Sequence, residues 1–192
     1  PDLILKGMGF VRAIDKMPLQ VKSSPGFLVN RILMPYLLES VRLLESGVPA
    51  VAIDKAAMQF GMPMGPIELA DTVGLDICLY GAESLNHYFK VSIPAELRKR
   101  VETGHLGRKT GQGFYQFKNG KIIRPEVKEH YRLPDDAYDR LILSMMNEAV
   151  ACLREKIVTD SDALDAAMIF GTGFPPFRCG PMHYIAEQGE SL

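Results

Sequence analysis

Val29-Asn30-Arg31-Ile32-Leu33-Met34-Pro35-Tyr36-Leu37-Leu38-Glu39-Ser40-Val41-Arg42-Leu43-Leu44 carries apolar side chains at Val29, Leu33, Leu37, Val41 and Leu44. Steps of three and four place them on one stripe of a helix. The preceding Ser23-Ser24-Pro25-Gly26 reads as its start, with Ser24 as cap and Pro25 in the first helical position. Gly47 and Pro49 should stop it near Glu45. Pro35 should kink it or free one carbonyl.

The same stripe occurs a second time. Leu33, Leu37, Val41, Leu44 and Val48 match Ile142, Met146, Val150, Leu153 and Ile157 at a constant offset of 109, and Glu39 matches Glu148. Ala56-Ala57-Met58 and Phe60-Gly61 match Ala166-Ala167-Met168 and Phe170-Gly171 at an offset of 110. Gly65-Pro66 matches Gly180-Pro181 at 115, the offset growing where loops take insertions. A long helix, a short helix, a Gly/Pro loop and a third helix therefore occur twice. Two such copies are expected to pack about a pseudo-twofold axis, as in an isologous dimer made within one chain.

Outward from the first copy, residues 1–15 read as a short helix and Met17 to Lys22 as one strand. A single strand cannot satisfy its own backbone, so its partners are expected outside this chain. Helices are expected from Pro49 to Gly61, from Pro66 to about Phe89 with breaks at Gly74 and Gly81, and from Pro94 through Glu102. The glycine-rich loop 104–113 leads into a hairpin turning at Asn119-Gly120. Residues 124–134 form a linker. Helices then cover 135–155 and 159–170, with Thr159 or Asp160 as cap and Gly171 as C-terminal glycine, and a last one begins near Pro181.

Composition narrows the function classes. The 192 residues are 47% hydrophobic and 23% charged, ordinary for a globular protein, and the net charge of −1 provides no field for nucleic acid or an anionic membrane. No apolar run approaches the ~20 residues of a membrane span. Cys78, Cys152 and Cys179 are odd in number and none sits at metal-knuckle spacing, which points to a reducing, cytoplasmic setting. His87, His105, His130 and His183 have no partner at zinc-ligand spacing, and no serine lies in a nucleophile elbow. Glu68, Asp71 and Asp76 are close in sequence and read as helix-surface carboxylates, so no metal is assigned. The 104–113 glycines lack the dinucleotide and P-loop patterns; the loop reads as structural, with Arg108 and Lys109 as weak phosphate contacts. Asn30 is the candidate site residue. Its amide sits near a helix N-terminus, cannot move a proton, and can hold and polarise a carbonyl or hydroxyl. A surface asparagine, or one bonded to a neighbouring loop, is the plainer alternative.

Ser24-Pro25-Gly26-Phe27-Leu28-Val29-Asn30-Arg31-Ile32-Leu33, then Phe60-Gly61-Met62-Pro63-Met64-Gly65-Pro66 and Asp71-Thr72-Val73-Gly74-Leu75-Asp76, and finally Gly107-Arg108-Lys109-Thr110-Gly111-Gln112-Gly113-Phe114-Tyr115, resemble the C-terminal domain of 3-hydroxyacyl-CoA dehydrogenases. Asn147-Glu148-Ala149-Val150 and Phe170 to Phe177 resemble the second C-terminal domain of the multifunctional fatty-acid oxidation enzymes, which join an enoyl-CoA hydratase (a lyase) to the dehydrogenase. The resemblance implies a mainly α, duplicated helical fold of the 6-phosphogluconate dehydrogenase C-terminal-like type, with one small hairpin. It divides the chain into a Rossmann-domain remnant at 1–23, a first helical domain at 24–123, a linker at 124–134 and a second helical repeat at 135–192. Single-copy dehydrogenases of this family dimerise through the first copy. The implied reaction passes hydride between NAD and C3 of a 3-hydroxyacyl-CoA in fatty-acid β-oxidation, with a base, its orienting carboxylate, a serine and an asparagine at the substrate. Only the asparagine matches, at Asn30. NAD would be bound by residues outside this chain, so the chain alone is expected to be inactive. Its implied partners are the acyl-CoA, the Rossmann domain and a possible second copy. The competing readings are a non-catalytic helical assembly or binding module and a relative acting on another hydroxy acid.

Overall fold

The computed structural model describes residues 2–126 and 131–189. His130 and part of the expected linker lie outside them. Helix α1 (Asp2–Ala13) leads through an extended stretch to α2 (Val29–Glu45), α3 (Ala50–Phe60), α4 (Pro66–Val73), α5 (Leu75–Phe89) and α6 (Ala95–Glu102). A hairpin follows, β1 (Gln116–Lys118) and β2 (Lys121–Ile123), then α7 (Ala137–Arg154), α8 (Ser161–Thr172) and α9 (Pro181–Gly189). The hairpin turns on Asn119 and Gly120, both at positive φ, the conformation a two-residue turn of this hand requires.

The duplication is real in three dimensions. Helices α2, α3 and α4 recur as α7, α8 and α9, and α2 packs most extensively on α7, burying a shared core that includes Ile32, Tyr36, Leu141 and Met145. Arg31 pairs with Glu148 and Arg140 with Glu39. These are the same two positions of each copy, related by the offset of 109, and they meet in reversed order. The long helices therefore run antiparallel about a pseudo-twofold axis.

A second device is also duplicated. Asp54, buried in α3, accepts from the backbone N–H groups of Ile67 and Glu68 in the first turn of α4, at 2.8 and 3.2 Å. Asp165 in α8 accepts from Met182 and His183 in the first turn of α9, at 2.7 and 3.1 Å. Each carboxylate fills the donors that a helix start leaves open, from one helix away.

Several expectations are corrected. Residues 16–23 are extended but form no strand. Lys16 N–H bonds back to the Val11 carbonyl at 3.1 Å and Lys22 N–H to the Ile157 carbonyl at 2.7 Å, and the only sheet among the described residues is the hairpin, so no ladder is on offer. Helix α2 starts at Val29, not Pro25, because Gly26 (φ +73°) and Phe27 (φ +51°) are left-handed, and Ser24 makes no cap hydrogen bond to it. Helix α5 runs unbroken through Gly81; the break falls at Gly74 (φ +108°) alone. Gly173, not Gly171, is the left-handed residue closing α8. The pairing of α3 with α8 is also shifted. Asp54 and Asp165 lie 111 apart, and Phe60 is fully buried whereas Phe170 is 69% exposed, so those two phenylalanines are not equivalents. No helix among the described residues is long and apolar enough to cross a membrane.

Candidate functional site

The site begins with the turn before α2. The Ser24 carbonyl accepts from Phe27 N–H at 2.8 Å, and the Gly26 carbonyl accepts from Arg31 N–H at 3.2 Å. Gly26 is required here: a Cβ would lie 3.0 Å from the Arg31 nitrogen and the residue sits at positive φ. Phe27 adopts the left-handed conformation without glycine's freedom, at a cost of about 1 kcal/mol. Its ring stays 60% exposed.

Beyond this turn lies a cleft of about 560 Å³. One wall is the turn at Asp15 and the stretch at Lys16–Leu19 and Val21, the floor is Gly26–Asn30, and the far wall is the face of α8 formed by Ala163, Ala166, Ala167, Phe170 and Gly171. The last five belong to the second copy. The lining is largely apolar, and Asn30 supplies an exposed amide at its floor that bonds to no other described residue. The structure thus puts Asn30 beside the 15–21 stretch, away from the helical core.

Next to Asn30, Arg31 points the other way and is buried, its side chain 3% exposed. Its Nε donates to Glu148 at 2.6 Å, and its two terminal nitrogens donate to the two oxygens of Glu155 at 2.8 and 3.0 Å. The guanidinium lies 4.0 Å from the centre of the Phe89 ring. Burial works against its charge, but the bonds to Glu155 and Glu148 outweigh it and raise the pKa above the ordinary value. The Glu155 carboxyl is lowered, chiefly by its bond to Arg31. This arrangement escaped the sequence reading. Its signal was present, because an arginine recurs at position 140 with the same offset that relates Glu39 and Glu148.

The remaining candidates lie elsewhere. His87 and His183 are exposed and His105 is half-exposed near Thr103; none lines the cleft. Asp71 is not a surface carboxylate: it is fully buried and accepts from Phe114 and Tyr115 N–H at 2.9 and 2.7 Å. Burial still pushes its pKa up to about 6. Glu68 pairs with Arg124 and Asp76 with Lys109. Lys109 is thereby engaged by a carboxylate, and the 104–113 loop wraps Asp71: a Cβ at Gly107 or Gly113 would lie 2.2 or 2.0 Å from Asp71 atoms.

The comparisons bear on this geometry. Residues 26–117 match the family model "3-hydroxyacyl-CoA dehydrogenase, C-terminal domain". The chain is 39% identical to the fatty acid oxidation complex subunit alpha of Acinetobacter baylyi over 92% of its length, which is 27% of that relative. The chain thus spans about a quarter of the curated relatives it matches. The crystal structure of (S)-3-hydroxybutyryl-CoA dehydrogenase from Ralstonia eutropha is 38% identical with a TM-score of 0.56, covering 60% of this chain and 42% of that one. The 3-hydroxybutyryl-CoA dehydrogenase of Escherichia coli K12 shares the fold over 97% of this chain and 58% of that one, with a TM-score of 0.80 at 20% identity. On the turn at residues 24–31 and these matches, residues 26–117 belong to the 3-hydroxyacyl-CoA dehydrogenase C-terminal domain family.

Proposed function

We propose that this chain is the substrate-side part of an NAD-dependent 3-hydroxyacyl-CoA dehydrogenase acting in fatty-acid β-oxidation, with Asn30 as the residue that orients the substrate. The observation that carries the reading is the Asn30 amide at the floor of a largely apolar cleft, bonded to no other described residue. Such an amide donates to an oxygen and holds it at a fixed angle. It takes no proton, so a base has to come from elsewhere.

The residues present do not fit the coenzyme. The sequence has no Gly-x-Gly-x-x-Gly turn between a strand and a helix, and no step is assigned to NAD on these residues. Coenzyme and base would belong to a nucleotide-binding domain outside this chain. Helix α1 supports that partner. It buries none of its residues, and Leu3, Leu5 and Phe10 are 84%, 67% and 66% exposed. In this reading the second copy takes the place that a second subunit occupies in single-copy dehydrogenases, and the enzyme works in the cytoplasm, joined to a hydratase as in the multifunctional enzymes.

Asn30→Ala in the full-length enzyme should lower kcat by roughly 100- to 1000-fold, the range expected for one lost donor at a developing charge. Its melting temperature should stay within about 2 °C of the parent, as for a surface substitution. The chain alone, given 3-hydroxyacyl-CoA and NAD, should produce no NADH. Equal loss of stability and activity in Asn30→Ala, or turnover by the chain alone, would contradict the reading.

A further inference from the structure

We propose that Glu148 and Glu155 of the second copy act through Arg31 as positioning residues for Asn30, which makes the duplicated domain part of the catalytic apparatus. The inference rests on the reading of Asn30 given above.

The start of α2 has little local support. Leu28 provides no side-chain cap. Pro35 lies four residues beyond Arg31 and has no N–H, so the Arg31 carbonyl lacks the helical bond it would otherwise accept. The turn before it is left-handed at two consecutive residues. What holds this first turn is therefore tertiary, and the Arg31 side chain is its strongest link. A guanidinium bonded to two carboxylates and stacked on Phe89 fixes the rotation of α2 about its axis. Asn30 is the adjacent residue, so that rotation sets where its amide points.

The pseudo-symmetric copy shows that this clamp is not a generic feature of the interface. Arg140 pairs with Glu39, as Arg31 pairs with Glu148. Its side chain is 36% exposed against 3% for Arg31. Ser46 stands where Glu155 would be expected, so the second carboxylate near Arg140 is only Asp136 of its own helix, at 3.7 Å and not forked, and Asp139 stands where Asn30 would be. The second glutamate is found only on the arginine that neighbours the substrate-facing amide.

The test is a double-mutant cycle on kcat in the full-length enzyme, with melting temperatures recorded for each variant. Glu155→Gln should lower kcat about tenfold, the scale of a small misplacement of a positioning group, with KM for the coenzyme unchanged. Combined with Asn30→Ala it should be no slower than Asn30→Ala alone, because both changes remove one contribution. Glu39→Gln disturbs the matching pair on the other side of the axis and should leave kcat unchanged. Arg31→Lys keeps the charge but cannot fork, and should reproduce the slow rate of Glu155→Gln. Multiplicative losses in the double variant, or a Glu39→Gln enzyme as slow as Glu155→Gln, would overturn the inference while leaving the role of Asn30 intact. An unchanged kcat in Asn30→Ala would overturn that role and the inference with it.

Discussion

Two glycines and two aspartates carry the duplicated helix starts. A Cβ at Gly65 would lie 2.2 Å from Asp54 atoms, and one at Gly180 would lie 2.2 Å from Asp165. Asp54 cannot yield, since Ile67, Glu68 and the Tyr115 hydroxyl all donate to it. Gly65→Ala should therefore destabilise by roughly 1–3 kcal/mol, a fall in melting temperature of about 3–10 °C for a chain of this size. Gly180→Ala should cost more, because Gly180 is also at φ +109°. Calorimetry checks both; an unchanged melting temperature for Gly65→Ala would mean the carboxylate is free to move. The Gly-Pro pairs at 65–66 and 180–181 were visible as a repeat, but the aspartates were not. They lie one residue off the register in which Ala56-Ala57-Met58 matches Ala166-Ala167-Met168, and only burial shows which register the core uses.

At the scale of elements, the hydrophobic period located α3, α6, α7 and α9 closely, and the body and end of α2, because each stripe meets a core that the chain itself supplies. It failed where the partner is absent or the reason is steric. The 17–22 stretch has a strand's alternation but no neighbouring strand among the described residues. Gly81 stays helical because it sits under α2, where a Cβ would lie 2.8 Å from the Met34 methyl. Asp71 ties α4 to the start of the hairpin, and its folded pKa of about 6 stands above the 3.8 of an ordinary aspartate, chiefly through burial. A carboxyl raised on folding contributes stability that is fully present below 3.8 and is lost as pH rises through about 6. The stability difference between the parent and Asp71→Asn, measured by denaturant titration, should therefore shrink from pH 4 to pH 7. A difference that grows over that window would mean that the two backbone donors, rather than burial, govern the group.

At the scale of the whole molecule, the two copies are neither redundant nor identical. They share a core between α2 and α7, share reciprocal ion pairs, and then diverge at one place: the first copy ends its clamp at an amide and the second lends α8 as a wall of the cleft in front of it. Fold and duplication were legible because both are written in repeated spacing. The candidate site was half legible. Asn30 was singled out as a candidate by its place near a helix start and by resemblance, whereas the cleft beside it, made of segments more than a hundred residues apart, has no local signature. The most direct measurement is a crystal structure of the full-length enzyme with coenzyme and a 3-hydroxyacyl-CoA. The Asn30 amide nitrogen should lie at hydrogen-bond distance, about 3 Å, from the C3 oxygen of the substrate, with α8 facing the same cleft. A substrate seated elsewhere, with Asn30 bonded only to protein, would contradict it.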